Sequence, residues 1–403
     1  SAGDPDLAGR AYAVNVLGCI LGPLLAGFIL LPMFGERASM LLFVAPWMGM
    51  ALLPGRGQKV LSGRRVTAFA SVAAALAVFF ATRDFETLFQ HREVMRDSTA
   101  TVIATGSGMH KRLLTNGIGI TELTPITKMM AHLTLSSLPE APHNALVICF
   151  GMGTTYKSVM SWGIPTTVVE LVPSVPRLFT YYHDDGASLL SSPLSHLVID
   201  DGRRYMERNP QKFDAIIIDP PPPVRAAGSS LLYSKEFYAV AREHLRPGGI
   251  LAQWLPTGDP AVQSSVARAL QQSFRFVRVF RPVEDNGWHF LASMEPIVDR
   301  SADELVSRMP GRAVTDMMAW GPGSTPTDQF NRMLQTDLTT QKLIARDPDA
   351  PALDDDRPVN EYDMLRNWSR MMKSGMRAWK PGQYGAAVEP EPPNSEAAKN
   401  AGK

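Results

Sequence analysis

The chain has 403 residues, a formal net charge of +1, 45% hydrophobic and 20% charged residues, a length that allows about two or three domains and a sizeable core. Near-neutral charge argues against a general nucleic-acid binder, which carries a basic excess, so no nucleic acid is expected as a partner. Two cysteines, Cys19 and Cys149, exclude a disulfide scaffold and any multi-cysteine zinc or iron–sulfur site.

The apolar residues crowd into the first fifth of the chain. Residues 11–35 carry no charge, and a membrane-spanning helix needs about 20 apolar residues. Residues 38–55 and 66–82 are also uncharged but shorter. Gly18, Gly22, Ala26 and Gly27 would let helices approach closely in lipid. Residues 1–83 are therefore expected to form transmembrane helices in contact with membrane lipid. No basic start followed by a cleavage site marks a signal peptide. The start at Ser1, without an initiator Met, is expected to mark a partial membrane domain. Arg56, Lys59, Arg64 and Arg65 lie between the second and third runs with no acid, which places that loop in the cytoplasm. If the third run spans, the remainder lies on the far side; if it lies in the interface, the remainder stays cytoplasmic.

From about Arg83 the composition is that of a globular protein. Residues 99–103 are rich in β-formers, Gly106-Ser107-Gly108 breaks the run, and residues 111–115 lead into the turn signal Asn116-Gly117. A small antiparallel sheet is expected within residues 84–140, together with a helix over 127–135 that places Met129, Met130 and Leu133 on one face.

An alternating pattern follows. Residues 145–150 read as a buried strand ending at Gly151-Met152-Gly153-Thr154-Thr155 before a helix. Residues 166–171 read as a second strand with Glu170 at its end, and 196–199 as a third, before Asp200-Asp201-Gly202. Residues 213–218 read as a fourth, ending at Asp219. A helix over 234–245 stops at Arg246-Pro247-Gly248-Gly249, and 250–254 form a fifth strand. Strands separated by helices imply a parallel α/β sheet, expected over residues 141–300, with ligands at the carboxyl ends of the strands. Residues 301–385 read as a helical extension, and the polar tail 386–403 as disordered.

The chemistry-bearing residues stand at those strand ends. Gly151-x-Gly153 is a turn that lets a ligand approach backbone at a helix start. Glu170 follows it at close to the ~20 residues expected of an acid that accepts from a ribose diol; a helix-capping carboxylate is the plainer alternative. Asp201 is placed to accept from an adenine amino group, or to serve as a turn aspartate before Gly202. Asp219 precedes four prolines, Pro220 to Pro223, a stiff segment without backbone donors. An amine nucleophile of pKa ~10 must lose a proton before attack, and a partly buried carboxylate there could hold and deprotonate it. The eight histidines show no pair at metal-ligand spacing, so no metal is expected, and His132 reads as structural. Neither a Gly-x-Ser-x-Gly elbow nor a Walker loop is present.

With these residues in place, residues 94–256 resemble the spermidine synthase family of aminopropyltransferases. Asn116-Gly117-Ile118-Gly119-Ile120-Thr121, Met130-Ala131-His132-Leu133, the glycine turn, Val169-Glu170, Asp200-Asp201-Gly202 and the strand ending in Asp219 match in order. The most specific matches are Leu232-Tyr233-Ser234-Lys235-Glu236-Phe237-Tyr238 and Leu245-Arg246-Pro247-Gly248-Gly249-Ile250-Leu251. The apolar segments, with Asp354-Asp355-Asp356-Arg357-Pro358 and Glu361-Tyr362, resemble membrane-fused spermidine synthase-like proteins of bacteria. The resemblance implies a Rossmann-like class I S-adenosylmethionine-dependent transferase sheet of seven strands, with a small N-terminal β domain, preceded by transmembrane helices. It implies decarboxylated S-adenosylmethionine held by Gly151, Gly153 and Glu170, its adenine by Asp201, and an amine deprotonated by Asp219, with methylthioadenosine released. Tyr233 would line the acceptor pocket, and a homodimer is the family's common assembly. The implied location is the bacterial inner membrane, with the transferase domain in the cytoplasm.

Three positions depart from the family. Met152 stands where the family usually has Asp, Val172 where an acid is frequent, and Pro222 where a second Asp follows the base. Each change removes negative charge from a pocket for a dicationic diamine. Asp219-Pro220-Pro221 also resembles, in part, the Asp-Pro-Pro-aromatic motif of amine methyltransferases that use S-adenosylmethionine. A non-catalytic nucleoside-sensing domain on a membrane module is the third reading.

Overall fold

The computed structural model describes residues 5–52, 61–219, 228–284, 286–335, 338–362, 365 and 368. The proline run, the Arg56 and Lys59 linker and the tail lie outside the described residues. The described residues fall into two compact units, one within Ser1–Thr105 and the other within Gly106–Glu389.

The first unit is helical and apolar, and then forms a hairpin. Helix Pro5–Leu25 runs through a π turn, Ala26–Leu30, into helix Leu31–Leu52, which Gly35 interrupts at φ 73°. By length and composition, Pro5–Gly49 is long and apolar enough to cross a membrane, and its apolar face is unburied. Helix Leu61–Ala81 covers the third uncharged run. Arg37 pairs with Asp84 at 3.2 Å and lies 4.4 Å above the Phe79 ring. Strands β1 (Arg92–Arg96) and β2 (Thr101–Thr105) pair antiparallel, with Val94 opposite Ile103. The Asp97 carboxylate closes their turn by accepting from the amides of Thr99 and Ala100 at 2.7 and 3.0 Å. Strand β1, with its charged alternation, is not part of the sequence expectation.

The second unit opens with the hairpin β3 (Arg112–Thr115) and β4 (Ile118–Glu122). Asn116 and Gly117 both take positive φ, 50° and 79°, as a two-residue turn of matching twist requires. Helix Pro125–Ser137 is capped by Thr124 and has Pro125 in its first turn, where a missing N–H costs nothing. It is buried on nearly every side rather than on one face.

Seven strands form the main sheet: β5 (Ala145–Ile148), β6 (Thr166–Glu170), β7 (Ser195–Ile199), β8 (Phe213–Ile218), β9 (Leu245–Leu255), β10 (Phe276–Phe280) and β11 (Trp288–Ser293). Their order is β10-β11-β9-β8-β5-β6-β7. Strands β9 to β7 in that order pair parallel, and β10 and β11 are antiparallel additions. The chain runs outward from β5 to β7 and returns on the other side of β5 as β8, which makes the β5/β8 boundary the switch point where such sheets bind ligands. Strands β5 and β8 are mainly apolar, and β5, β6 and β8 are buried nearly throughout, as a sheet covered on both faces demands. Strand β9 starts earlier than expected. Phe213 pairs with Leu245, Arg246 to Gly249 loop out, and pairing resumes between Ala215 and Ile250.

Ile216, Ile218, Phe237, Leu251, Leu270 and Phe290 form the centre of the core. Each such side chain contributes roughly 1.5–3 kcal/mol by leaving water. The extension after residue 301 supplies helices Ala302–Ser307, Gly311–Met318, Pro326–Leu334 and Thr340–Ile344, the first closed by a Ser301–Glu304 capping box. Leu343 and Leu353, from this extension, complete the core.

Candidate functional site

Strand β5 ends in a turn with three positive φ angles, Cys149 at 71°, Gly151 at 54° and Gly153 at 75°. The Gly153 amide closes it by donating to the Phe150 carbonyl at 2.8 Å. A Cβ on Gly153 would approach the Phe179 ring to 2.3 Å, so both the angle and the space require glycine. A Cβ on Gly151 would meet only Thr121 Cγ2, at 3.8 Å, which leaves that stretch of backbone open to approach.

Glu170, at the end of β6, is buried at 7% exposure. Its Oε2 accepts from the Phe150 amide and its Oε1 from the Val172 amide, both at 2.8 Å. Burial pushes the carboxyl above its ordinary range, and the amides of Val172, Phe150, Gly151 and Leu171 pull it back. The residue thus ties the glycine turn to the neighbouring strand end.

Asp201 has a local task. Its Oδ1 accepts from the Arg204 amide at 2.8 Å and caps helix Gly202–Arg208. Asp200 pairs with the Arg204 side chain. Gly202 is packed tightly, because a Cβ there would lie 2.6 Å from Ile148 Cγ2.

Asp219 follows β8 directly, its amide donating to the Ile148 carbonyl at 3.0 Å. Burial pushes its carboxyl up to about 6, against the opposing bond from Thr155. Thr155 was not among the expected site residues. Its Oγ1 lies 2.8 Å from Asp219 Oδ2 and 3.1 Å from the Thr127 carbonyl. One hydroxyl proton serves two acceptors there, and its bond to Asp219 favours the charged carboxylate. A hydroxyl in the first turn after a glycine loop was the available signal for it.

Tyr233 is buried at 1% exposure, and its hydroxyl has no hydrogen-bond partner among the described residues. Burial pushes its phenol far up, and Cys149 and Asp219 add to the effect. Cys149 is where the strand ends meet. Burial raises its thiol first, and Glu170, Asp219 and Asp201 raise it further.

A second polar cluster packs against the same helices. Lys128 Nζ lies 2.6 Å from Asp316 Oδ1, His132 Nε2 3.0 Å from Asp316 Oδ2, and Ser158 donates to Oδ2 at 2.6 Å. The Trp162 indole N–H donates to His132 Nδ1 at 3.1 Å. An indole nitrogen only donates, so Nδ1 accepts and the imidazole proton sits on Nε2, facing Asp316. His132 is neutral in this arrangement, in keeping with the downward push of burial on its pKa. Lys128 also lies 4.3 Å above the Trp320 ring. No local sequence signal linked Asp316 to this cluster.

Residues 124–283 match the family described as Spermine/spermidine synthase domain. A Polyamine aminopropyltransferase 2 of Hyperthermus butylicus is 32% identical over 184 residues, which cover 42% of this chain and 59% of that protein. A Polyamine aminopropyltransferase 2 of Pseudomonas aeruginosa is 30% identical over 186 residues, covering 43% of this chain and 50% of that protein. The chain thus spans between 50% and 59% of the length of these two curated relatives. The solved structure of spermidine synthase from Thermotoga maritima shares the fold, with a TM-score of 0.50 at 18% identity, over 63% of this chain and 87% of that one.

Proposed function

We propose, from the match of residues 124–283 to the Spermine/spermidine synthase domain, that the chain transfers an aminopropyl group from decarboxylated S-adenosylmethionine to an amine, releasing methylthioadenosine. The observation that carries this reading is Asp219: a carboxyl at the switch point, with a pKa of about 6, held by one threonine hydroxyl. A base works best when its pKa lies near the working pH. An alkylammonium of pKa ~10 is inert as a nucleophile until such a group takes its proton.

The residues at the other strand ends fit a nucleoside. Gly151 leaves its backbone open, and Glu170 presents a buried carboxylate beside it. On this reading Glu170 accepts from the ribose hydroxyls, Asp201 from the adenine amino group, and Gly151 and Gly153 form the backbone side of the pocket. The donor supplies a sulfonium leaving group: the new C–N bond forms as the C–S bond breaks and its electron pair returns to sulfur. Asp219 removes the ammonium proton, Thr155 holds that carboxyl in place, and Tyr233 lines the acceptor side. Met152 and Val172 bring no charge to the pocket, which favours an acceptor other than a dicationic diamine. The apolar first unit would hold the domain at a membrane, on the cytoplasmic side where such substrates are made.

Product analysis with the full chain tests this. S-adenosylmethionine and its decarboxylated form would be offered separately, each with a panel of amines. Methylthioadenosine formed only from the decarboxylated donor is the expected result. S-adenosylhomocysteine instead would make the protein an amine methyltransferase. Tight binding without product would make it a nucleoside sensor.

A further inference from the structure

Residues 353–361 lie outside the matched domain, and their motif of acids, Arg357-Pro358 and Glu361 has no part in the chemistry above. In the fold they return to the segment that carries Tyr233. Glu361 Oε1 accepts three bonds from the start of the short helical turn Ser229–Leu232: from the Gly228 amide at 3.0 Å, the Ser230 amide at 3.1 Å and the Ser230 hydroxyl at 2.5 Å. The fully buried Asn360 donates to the Ser229 hydroxyl at 2.8 Å. The Ser230 carbonyl in turn accepts from the Tyr233 amide at 2.9 Å. Beyond Tyr233, the Lys235 amide donates to the Leu353 carbonyl at 3.0 Å.

Tyr233 is therefore held from both sides by one C-terminal segment. Its hydroxyl is buried and has no partner among the described residues, beside Asp219 and Cys149. Such a group calls for a ligand atom or a water.

We propose that Glu361 is a positioning residue for the acceptor side: it fastens the turn from which Tyr233 enters the site, so a segment outside the matched domain completes the pocket. Glu361 itself touches no reacting atom. It acts through Ser230 and the backbone leading to Tyr233. The catalytic arm of this inference rests on the transferase reading; the structural arm does not.

Two measurements on the full chain in detergent separate these arms. Amide hydrogen exchange reads the fastening without turnover. In Glu361→Ala, residues 228–236 should exchange about tenfold faster, with the glycine turn unchanged. Kinetics with decarboxylated S-adenosylmethionine and the best amine of the panel read the consequence. The KM for the amine should rise about tenfold or more, with kcat and the donor KM within about twofold of wild type. Glu361→Gln keeps an acceptor oxygen and should restore most of both. Unchanged exchange over 228–236 overturns the proposal. Equal losses toward donor and amine, with a lowered melting temperature, also overturn it, since that is the mark of a merely structural role. If the wild-type chain turns over neither donor, the transferase reading fails and exchange alone decides the fastening.

Discussion

Lys128 and Asp316 are 188 positions apart in the chain and meet as a buried ion pair, 2.6 Å from Nζ to Oδ1, with side chains 2% and 7% exposed. The pair joins the helix before β5 to helix Gly311–Met318 in the extension. His132 and Ser158 satisfy the second carboxylate oxygen, so the charges are enclosed with their hydrogen bonds made. Removing Asp316 leaves an uncompensated buried ammonium. Asp316→Ala should cost about 3–5 kcal/mol, read as a lowered denaturant midpoint of the full chain. An unchanged midpoint would show the pair to be dispensable. Burial pushes the Asp316 carboxyl up, but the bonds from His132 and Lys128 outweigh it and hold it well below the usual range. Its stabilisation is therefore present above the ordinary aspartate value of about 3.9 and is lost as pH falls below it.

Asp219 behaves in the opposite sense. Its folded value of about 6 lies above that of an unfolded aspartate, so the folded state binds the proton more tightly. Stability falls as pH rises from about 4 to 6 and is level above. Asp219→Asn removes that loss and should raise stability at pH 7.5 by at most about 3 kcal/mol, since a tenfold change in proton affinity is about 1.4 kcal/mol. The same substitution should lower turnover by about a hundredfold or more. A variant that is both more stable and inactive is the expected signature, measured by thermal unfolding beside product formation. Full activity in the variant would remove Asp219 from the chemistry.

Thr155 should set where the rate titrates. In the wild type, kcat/KM should rise with pH through about 6 as Asp219 ionises. Thr155→Val keeps the shape and removes the hydroxyl that favours the carboxylate, so the rising limb should move to higher pH. Thr155→Ser should move it back. An identical limb in all three proteins would show that the hydroxyl does not act on Asp219.

Glu170→Gln tests the tie between strand end and turn. The glutamate gives one oxygen to the Phe150 amide and the other to the Val172 amide. Glutamine has one acceptor, so its amide group must face one of the two N–H groups, at a cost of about 1–3 kcal/mol. Calorimetry with methylthioadenosine should show affinity reduced about tenfold or more. Unchanged affinity would place nucleoside binding elsewhere.

The strands that build the switch point were legible because their burial is written in consecutive residues. Ile216-Ile217-Ile218 followed by Asp219 reads as a covered strand with a carboxyl at its end, and the fold bears out that strand. The hairpin turn at Asn116-Gly117 was legible for a similar reason, since few residue pairs accept two positive φ angles. Strand β1 was not, because Arg92, Glu93 and Arg96 hide its alternation. Asp201 reads either as an acceptor for an adenine amino group or as a turn aspartate before Gly202, and the fold gives its Oδ1 the Arg204 amide three residues on, a cap visible in any Asp-Gly helix start. Thr155 and Asp316 needed the tertiary fold. Their partners lie 64 and 188 positions away, and nothing local in a sequence reports such distances.

The two thiols of the chain differ in a way that can be used. Cys149 is pushed far above the ordinary thiol range by burial and three nearby carboxyls, so at neutral pH it holds its proton and is a poor nucleophile. Cys19 is exposed in the second half of the apolar helix Pro5–Leu25. A water-soluble maleimide offered to the native chain should therefore attach at Cys19 and leave the site untouched. In detergent-free vesicles the same reagent becomes a depth gauge. Rapid labelling would place that helix in water, and labelling only after the bilayer is dissolved would place it in lipid.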